Sequence, residues 1–290
     1  PALAPEQRNI GQGFQFPVIY DSMSVFDNLA FPLRNRRMDP SYVQQRVTHI
    51  ANTLGLEGVL NRRARNLGAD AKQKISLGRG LVREDVAAVL FDEPLTVIDP
   101  HLKWQLRRKL REVHEQLNLT LVYVTHDQTE AMTFADKVVV MLAGQVLQVG
   151  TPQALFERPA HTFVGYFIGS PGMNFMDCQI ESQNAVIDGL KVPVDAAMAK
   201  AASEAGGKLQ LGIRPELIRP ARDGESAISL QVNALEDLGD YLLVTAQLGQ
   251  HTVYVRLDES EVITGDTLSV VFPTEHALIY ADDKLVVGGE

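Results

Sequence analysis

The chain has 290 residues, 45% hydrophobic and 22% charged, an ordinary globular composition with room for about two domains. No apolar run approaches the roughly 20 residues that cross a bilayer, so any membrane role must come through a partner. The net charge of −9 is uneven: residues 170–290 hold 8 Lys and Arg against 19 Asp and Glu, while residues 1–169 hold 19 against 17, which argues against nucleic-acid binding by the second part and sets a boundary near Gly169-Ser170-Pro171-Gly172.

Residues 1–13 read as polar and irregular, and Phe14-Gln15-Phe16-Pro17 as the start of a loop. Ser24 is a candidate N-cap for a helix, with Asp27 three residues on. A second helix opens at Pro40-Ser41 and places Val43, Val47, Ile50 and Leu54 at helical spacing. The basic run Asn61–Asn66 has no interleaved aromatics and reads as a solvated helix end. Lys72–Leu81 reads as a helix.

Val86–Pro94 then runs six mostly apolar residues into two adjacent carboxylates, Asp92 and Glu93. That pattern is a buried parallel strand with acids at its C-terminal end, where open α/β sheets bind ligands. Leu102–Leu117 is an amphipathic helix with Leu102, Leu106, Leu110, Val113 and Leu117 on one face. Leu119–Thr125 is a second buried strand ending at His126-Asp127, and Gln128–Ala135 a short helix. Lys137–Leu142 and Val146–Val149 form a hairpin about Ala143-Gly144, and Thr151 caps a helix with Pro152 in its first turn. From about 80 to 150 the order is that of an α/β sheet layered by helices.

After 170, short alternating runs recur at Ala185–Asp188, Leu209–Ile213, Ser229–Asn233, Tyr241–Ala246, Thr252–Leu257 and Leu268–Phe272. They predict a small antiparallel barrel or sandwich. The single cysteine, Cys178, excludes an internal disulfide, fits a reducing compartment, and reads as a small buried hydrophobe.

Leu90-Phe91-Asp92-Glu93-Pro94, then Ile98-Asp99-Pro100, then Tyr123-Val124-Thr125-His126-Asp127-Gln128 with Glu130-Ala131, together resemble the nucleotide-binding subunit of an ABC transporter. The resemblance covers the whole chain. It implies a partial P-loop ATPase domain over residues 1–169 with a helical subdomain at about 22–80, followed by a small all-β, OB-like regulatory (TOBE) domain over 170–290. It also implies roles. Gln15 is the glutamine that senses metal and γ-phosphate and faces the membrane subunit. Asp92 holds Mg²⁺, Glu93 is the general base, Asp99 sits at a dimer interface and His126 contacts the γ-phosphate. Physical chemistry supports such a set, because phosphoryl transfer is mostly positioning and charge neutralisation. Mg²⁺ prefers hard oxygen ligands, and a second carboxylate can orient the attacking water.

Two departures stand beside the match. No G-x-x-x-x-G-K-S/T occurs; Gly11-Gln12-Gly13 and Gly78-Arg79-Gly80 lack the Lys-Ser/Thr pair, and only 14 residues precede Gln15. The expectation is an N-terminally truncated chain that does not by itself hold ATP normally. The family's L-S-G-G-Q stands here as Leu67-Gly68-Ala69-Asp70-Ala71, with Arg79 in register. Gly68 and Ala69 keep backbone donors for a nucleotide on an opposing subunit, but Asp70 would bring a carboxylate toward polyphosphate, unless it turns away.

Phe163–Asn174 and Leu211–Glu216 resemble the junction and regulatory domain of maltose-type sugar and polyol importers, and the loop at Phe14–Asp21 is closer to the glycerol or glycerol-phosphate branch. The expected protein is therefore an ATP- and Mg²⁺-dependent energy-coupling subunit for polyol or sugar import, with glycerol or glycerol 3-phosphate as the solute. It would lie peripherally on the cytoplasmic face of the plasma membrane. It would work with integral-membrane permease subunits, a second ATPase subunit (the altered motif favouring a heterodimer over a homodimer), and indirectly a periplasmic solute-binding protein. Two alternatives stay open: a non-catalytic, regulatory ATPase-like partner, and a soluble ABC-type ATPase of DNA repair or translation.

Overall fold

The computed structural model describes residues 8–96, 98–117, 119–222, 224–261 and 265–287. The chain divides into two compact units, Pro1–Phe134 and Ala135–Glu290. Among the described residues, no helix is long and apolar enough to cross a membrane.

In the first unit, β1 (Ile10–Gly13) leads through a loop to α1 (Val25–Asn35), α2 (Pro40–Leu54) and α3 (Ala69–Leu81). Then come β2 (Ala88–Asp92), α4 (Pro100–Leu117), β3 (Leu121–Val124) and α5 (Gln128–Phe134). The sheet has order β1-β2-β3, and both pairings are parallel. The helix starts follow their caps. Ser24 Oγ accepts from the Asp27 N–H at 3.0 Å, and Asp39 accepts from the Ser41 N–H at 2.8 Å with Pro40 in the first turn. Helix α2 ends at Gly55 in the left-handed conformation, φ 67°. The core joins Val25, Leu29 and Leu33 of α1 to Val47, Ile50 and Leu54 of α2, with Ile75, Leu77 and Leu81 of α3 and Val89 and Phe91 of β2. From α4 it takes Leu106, Leu110 and Val113; the side chain of Leu117 lies outside the described residues.

The stretch expected to be irregular is in part a strand. Residues 1–7 lie outside the described residues, but Ile10–Gly13 pairs in parallel with Ala88–Phe91. Its composition gives no β signal, because two of its four residues are glycine. Close approach explains them. A Cβ at Gly13 would stand 2.5 Å from the Phe91 ring, and one at Gly11 would stand 3.0 Å from the Gly80 carbonyl. A Cβ at Gly78 would stand 2.6 Å from Leu29. Gly11, Gly13 and Gly80 therefore let α3, β1 and β2 pack closely, and Gly78 lets α3 pack on α1 and α2.

The second unit begins with the antiparallel hairpin β4 (Val138–Leu142) and β5 (Gln145–Gly150), then the short helices α6 (Pro152–Glu157) and α7 (Thr162–Phe167). Strands β6 (Asn174–Asp177), β7 (Gln179–Glu181), β8 (Asn184–Ile187) and β9 (Leu190–Pro193) precede helix α8 (Ala196–Ala205). They are followed by β10 (Leu209–Ile213), β11 (Arg219–Pro220), β12 (Ile228–Asp237), β13 (Leu242–Leu248) and β14 (His251–Leu257). The last are β15 (Thr267–Val271), β16 (Leu278–Ala281) and β17 (Lys284–Leu285). Three antiparallel sheets, ordered β17-β16-β10-β6, β11-β15-β12-β13-β14 and β7-β8-β9, enclose one core that includes Met176, Ile187, Leu211, Leu230, Val244, Val255 and Ile279. The alternation of inward and outward residues along β13 and β14 is the half-buried strand pattern. Helix α8 interrupts this all-β texture. Its Ala-rich run is capped by Asp195, whose Oδ1 accepts from the Met198 N–H at 3.0 Å.

The composition step at 169/170 and the parting of the compact units at 134/135 do not coincide. Polar contacts within the second unit join residues 156–168 to the β-rich part. Arg214 is 1% exposed and donates to the Phe156 carbonyl at 2.6 Å and to that of Ile168, and its guanidinium lies 4.0 Å over the Phe156 ring. Tyr280 donates to the Pro159 carbonyl at 2.9 Å. These bonds fasten α6 and α7 onto the β-rich part.

Candidate active site

Strand β2 delivers Asp92 and Glu93 to its C-terminal end, and β3 delivers His126 to the neighbouring end. Asp92 is exposed and sits opposite Val124 in the sheet register. At Glu93 the backbone turns out of the strand into the left-handed region, φ 43°, while its N–H still donates to the Val124 carbonyl at 2.9 Å. Only a few per cent of non-glycine residues adopt that conformation, and it aims this carboxylate differently from a regular strand side chain.

Three side chains converge on it. Gln15 Nε2 donates to Glu93 Oε2 at 2.8 Å. His126 Nδ1 stands 2.9 Å from Glu93 Oε1. Thr96 Oγ1 donates to Oε2 at 3.3 Å and to the Glu93 carbonyl at 3.1 Å. The hydrogen bond from His126 holds the Glu93 carboxyl below the usual carboxylate range, with Thr96 adding to it. The same bond lifts the His126 imidazole above its ordinary value, aided by the charge of Glu93 and then by Glu130 and Asp127. Glu93 is thus ionised at neutral pH.

The turn carrying His126 is braced from behind. Glu130 is buried, and its Oε2 accepts from Thr125 Oγ1 at 2.8 Å and Tyr123 Oη at 3.0 Å. Asp127 Oδ1 caps α5 by accepting from the Thr129 and Glu130 N–H groups at 2.8 and 3.2 Å. Burial, followed by the charge of Glu130, pushes the Tyr123 phenol upward.

Of the residues predicted from sequence, Gln15, Glu93 and His126 meet in one cluster, with Asp92 beside Glu93 in the chain. Asp99 stands apart as the cap of α4: its Oδ1 accepts from the His101 N–H at 2.9 Å and its carbonyl from those of Leu102 and Lys103. Gly68 and Ala69 are exposed at the start of α3, with Gly68 as its N-cap. Asp70 does not project freely there. Its Oδ2 is paired with Lys74 at 2.9 Å, one turn along the same helix. Thr96, Gln73 and Glu130 were not singled out by sequence. The Glu130 position was readable only as part of the His126 string, and Thr96 and Gln73 gave no local signal.

The donor set also bears on a metal. Among the described residues, no group of three or more His, Cys, Asp or Glu could cage an ion. Exposed Asp92 is a hard oxygen ligand, and Gln15 binds Glu93 through Nε2, leaving its amide oxygen out of that bond. One carboxylate and one amide oxygen fit Mg²⁺, which takes few protein ligands and completes its shell with water and phosphate. The glycine pairs at 11/13 and 78/80 form packing contacts, as described, and offer no phosphate cradle.

The Glu93 carboxylate held between Gln15 and His126, with Asp92 beside it, is the arrangement expected of an ABC-type ATPase subunit, and the comparisons place the chain in that class. Residues 169–218 match the family described as MalK OB fold domain, and residues 211–279 match the TOBE domain. Curated relatives named sn-glycerol-3-phosphate import ATP-binding protein UgpC include that of Cupriavidus necator, 41% identical over 97% of this chain and 79% of that one. Those of Salmonella typhi, at 40%, and Paraburkholderia xenovorans, at 38%, each align over 94% of this chain and 77% of their own. The chain belongs to this family of ABC importer ATP-binding subunits. A solved structure, cbiO1 of Clostridium perfringens, part of the ABC transporter complex cbiONQ, is 26% identical over 52% of this chain and 60% of that one, with a TM-score of 0.48.

Proposed function

We propose that this subunit couples ATP hydrolysis to uptake of sn-glycerol 3-phosphate, with Glu93 as the residue that orients the attacking water. The observation carrying the hydrolytic role is the Glu93 carboxylate held between Gln15 at 2.8 Å and His126 at 2.9 Å, and the solute follows the relatives named for sn-glycerol-3-phosphate import. Each carboxylate oxygen can accept about two hydrogen bonds. Oε2 takes Gln15 and Thr96, and Oε1 takes His126, so Oε1 keeps one direction for a water. A carboxyl with a lowered pKa is a weak base. Glu93 therefore acts chiefly by placing the water and accepting its proton late. Gln15 and His126 keep the carboxylate from rotating. Bound through Asp92 and the Gln15 amide oxygen, Mg²⁺ would supply neutralisation of phosphate charge.

Asp99 at the head of α4 and the backbone of exposed Gly68 and Ala69 are the proposed contacts to a second ATPase subunit. The altered Leu67–Ala71 motif favoured a different chain as that partner. The Asp70–Lys74 pair weakens this argument, because the carboxylate already has a cation within its own helix. The comparisons lend a heterodimer no support, and the proposed pairing is of like copies. The location follows from attachment to permease subunits: peripheral, on the cytoplasmic face of the membrane.

The test is uptake. In cells lacking their own ATPase subunit for this solute, the complete protein, expressed with its permease and binding protein, restores accumulation of labelled sn-glycerol 3-phosphate. Restored uptake of a neutral polyol or a sugar, with none of the phosphate ester, would overturn the substrate.

A further inference from the structure

Helix α3 does more than offer its N-terminus. Gln73 lies on it with no solvent exposure. Its Nε2 donates to the Pro94 carbonyl at 2.7 Å and to the Phe14 carbonyl at 3.4 Å. Pro94 is the residue after Glu93, and Phe14 is the residue before Gln15. One amide thus reaches the backbone beside each partner of the Gln15–Glu93 hydrogen bond. Among the described residues its Oε1 is buried without a partner, an unfavourable situation that a purely apolar side chain would avoid.

Two further side chains of α3 hold the same loop downstream. Arg79 donates to the Val18 carbonyl and stacks 4.8 Å over the Tyr20 ring. Lys72 pairs with Asp21 at 3.0 Å. The loop bearing Gln15 is therefore fastened to α3 at three points along its length, and Gln73 is the one that also grips the Glu93 segment.

We infer that Gln73 is a positioning residue, which sets the distance between Gln15 and Glu93 by holding the Phe14 and Pro94 carbonyls on one amide group. The inference rests on the reading of Gln15 and Glu93 as the working pair. It makes α3 the element whose displacement would move Gln15 relative to Glu93.

The test reads the Gln15 side-chain amide by NMR, in its chemical shift and hydrogen exchange. Q73M keeps the length and removes the donor. Q73N keeps the polarity and is too short to reach both carbonyls, so it serves if Q73M does not fold. I75A and I75V, on the same helix, remove core packing and leave the clamp intact. In both Gln73 variants the Gln15 amide protons are expected to exchange about tenfold faster and to move toward free-glutamine shifts, while the Ile75 variants leave them in place. An unchanged Gln15 amide in the Gln73 variants, or an equal change in the Ile75 variants, overturns the proposal. The readout follows geometry, so failure here leaves the assignment of Glu93 standing, and loss of that assignment through hydrolysis assays leaves this result intact.

Discussion

The strand-end cluster of the first unit and the buried polar groups of the second use their polar atoms in opposite ways. In the second, Arg214, Asn174 and Tyr280 are buried and turned onto backbone: Asn174 exchanges hydrogen bonds with Tyr254 at 2.9 and 2.8 Å across two sheets, and Arg214 and Tyr280 fasten α6 and α7. In the first, Glu93 and His126 stand at strand ends, partly or largely exposed, and bond to each other. Buried polar groups that end on carbonyls fix a fold. Exposed ones that end on ionisable partners leave a lone pair for chemistry. The left-handed backbone at Glu93 marks the same contrast, since it serves aim rather than packing.

The sharpest break on the structural side is Arg214→Ala. It leaves the Phe156 and Ile168 carbonyls buried without their donor and empties the space over the Phe156 ring, so the second unit should lose on the order of 3 kcal/mol or more. Thermal unfolding followed by near-ultraviolet circular dichroism measures it, and a loss below about 1 kcal/mol would mean that the latch contributes little. Gly13→Ala is next. Its methyl group would meet the Phe91 ring, and overpacking of this kind costs about 1–3 kcal/mol, readable as a lower denaturant midpoint. Ser24→Ala removes the cap of α1 and should cost about 1 kcal/mol in the same assay.

The smallest effect is pH-linked and belongs to the first unit alone. The lowered Glu93 pKa stabilises above the carboxyl's ordinary 4.5 and is lost as pH falls through the folded value. The raised His126 pKa stabilises below the imidazole's ordinary 6.5 and is lost as pH rises through the folded value. Their joint contribution is therefore greatest between those limits. An NMR titration should place His126 above 6.5, and Glu93→Gln should bring it back down. A His126 titration unmoved by that substitution would dissolve the pair.

The sequence made the site more legible than the frame around it. Asp92, Glu93 and His126 were legible because they sit in strings that resemble the family's motifs, and the strands behind them show as apolar runs. β1 was hidden because Gly11 and Gly13 are selected by the proximity of Gly80 and Phe91, which no local propensity reports. α8 was hidden by the alternating strands around it, although its Ala-rich run and Asp195 cap were in plain view. Thr96 and Gln73 belong with β1, for their importance comes from which carboxylate or carbonyl they meet.

The role of Glu93 is tested most directly by ATP hydrolysis of the complete protein, assembled with its permease and compared with Glu93→Gln. The substitution preserves shape and removes the charge, and the predicted result is a turnover at least about 100-fold lower, with thermal stability little changed. Hydrolysis at the wild-type rate would contradict the account.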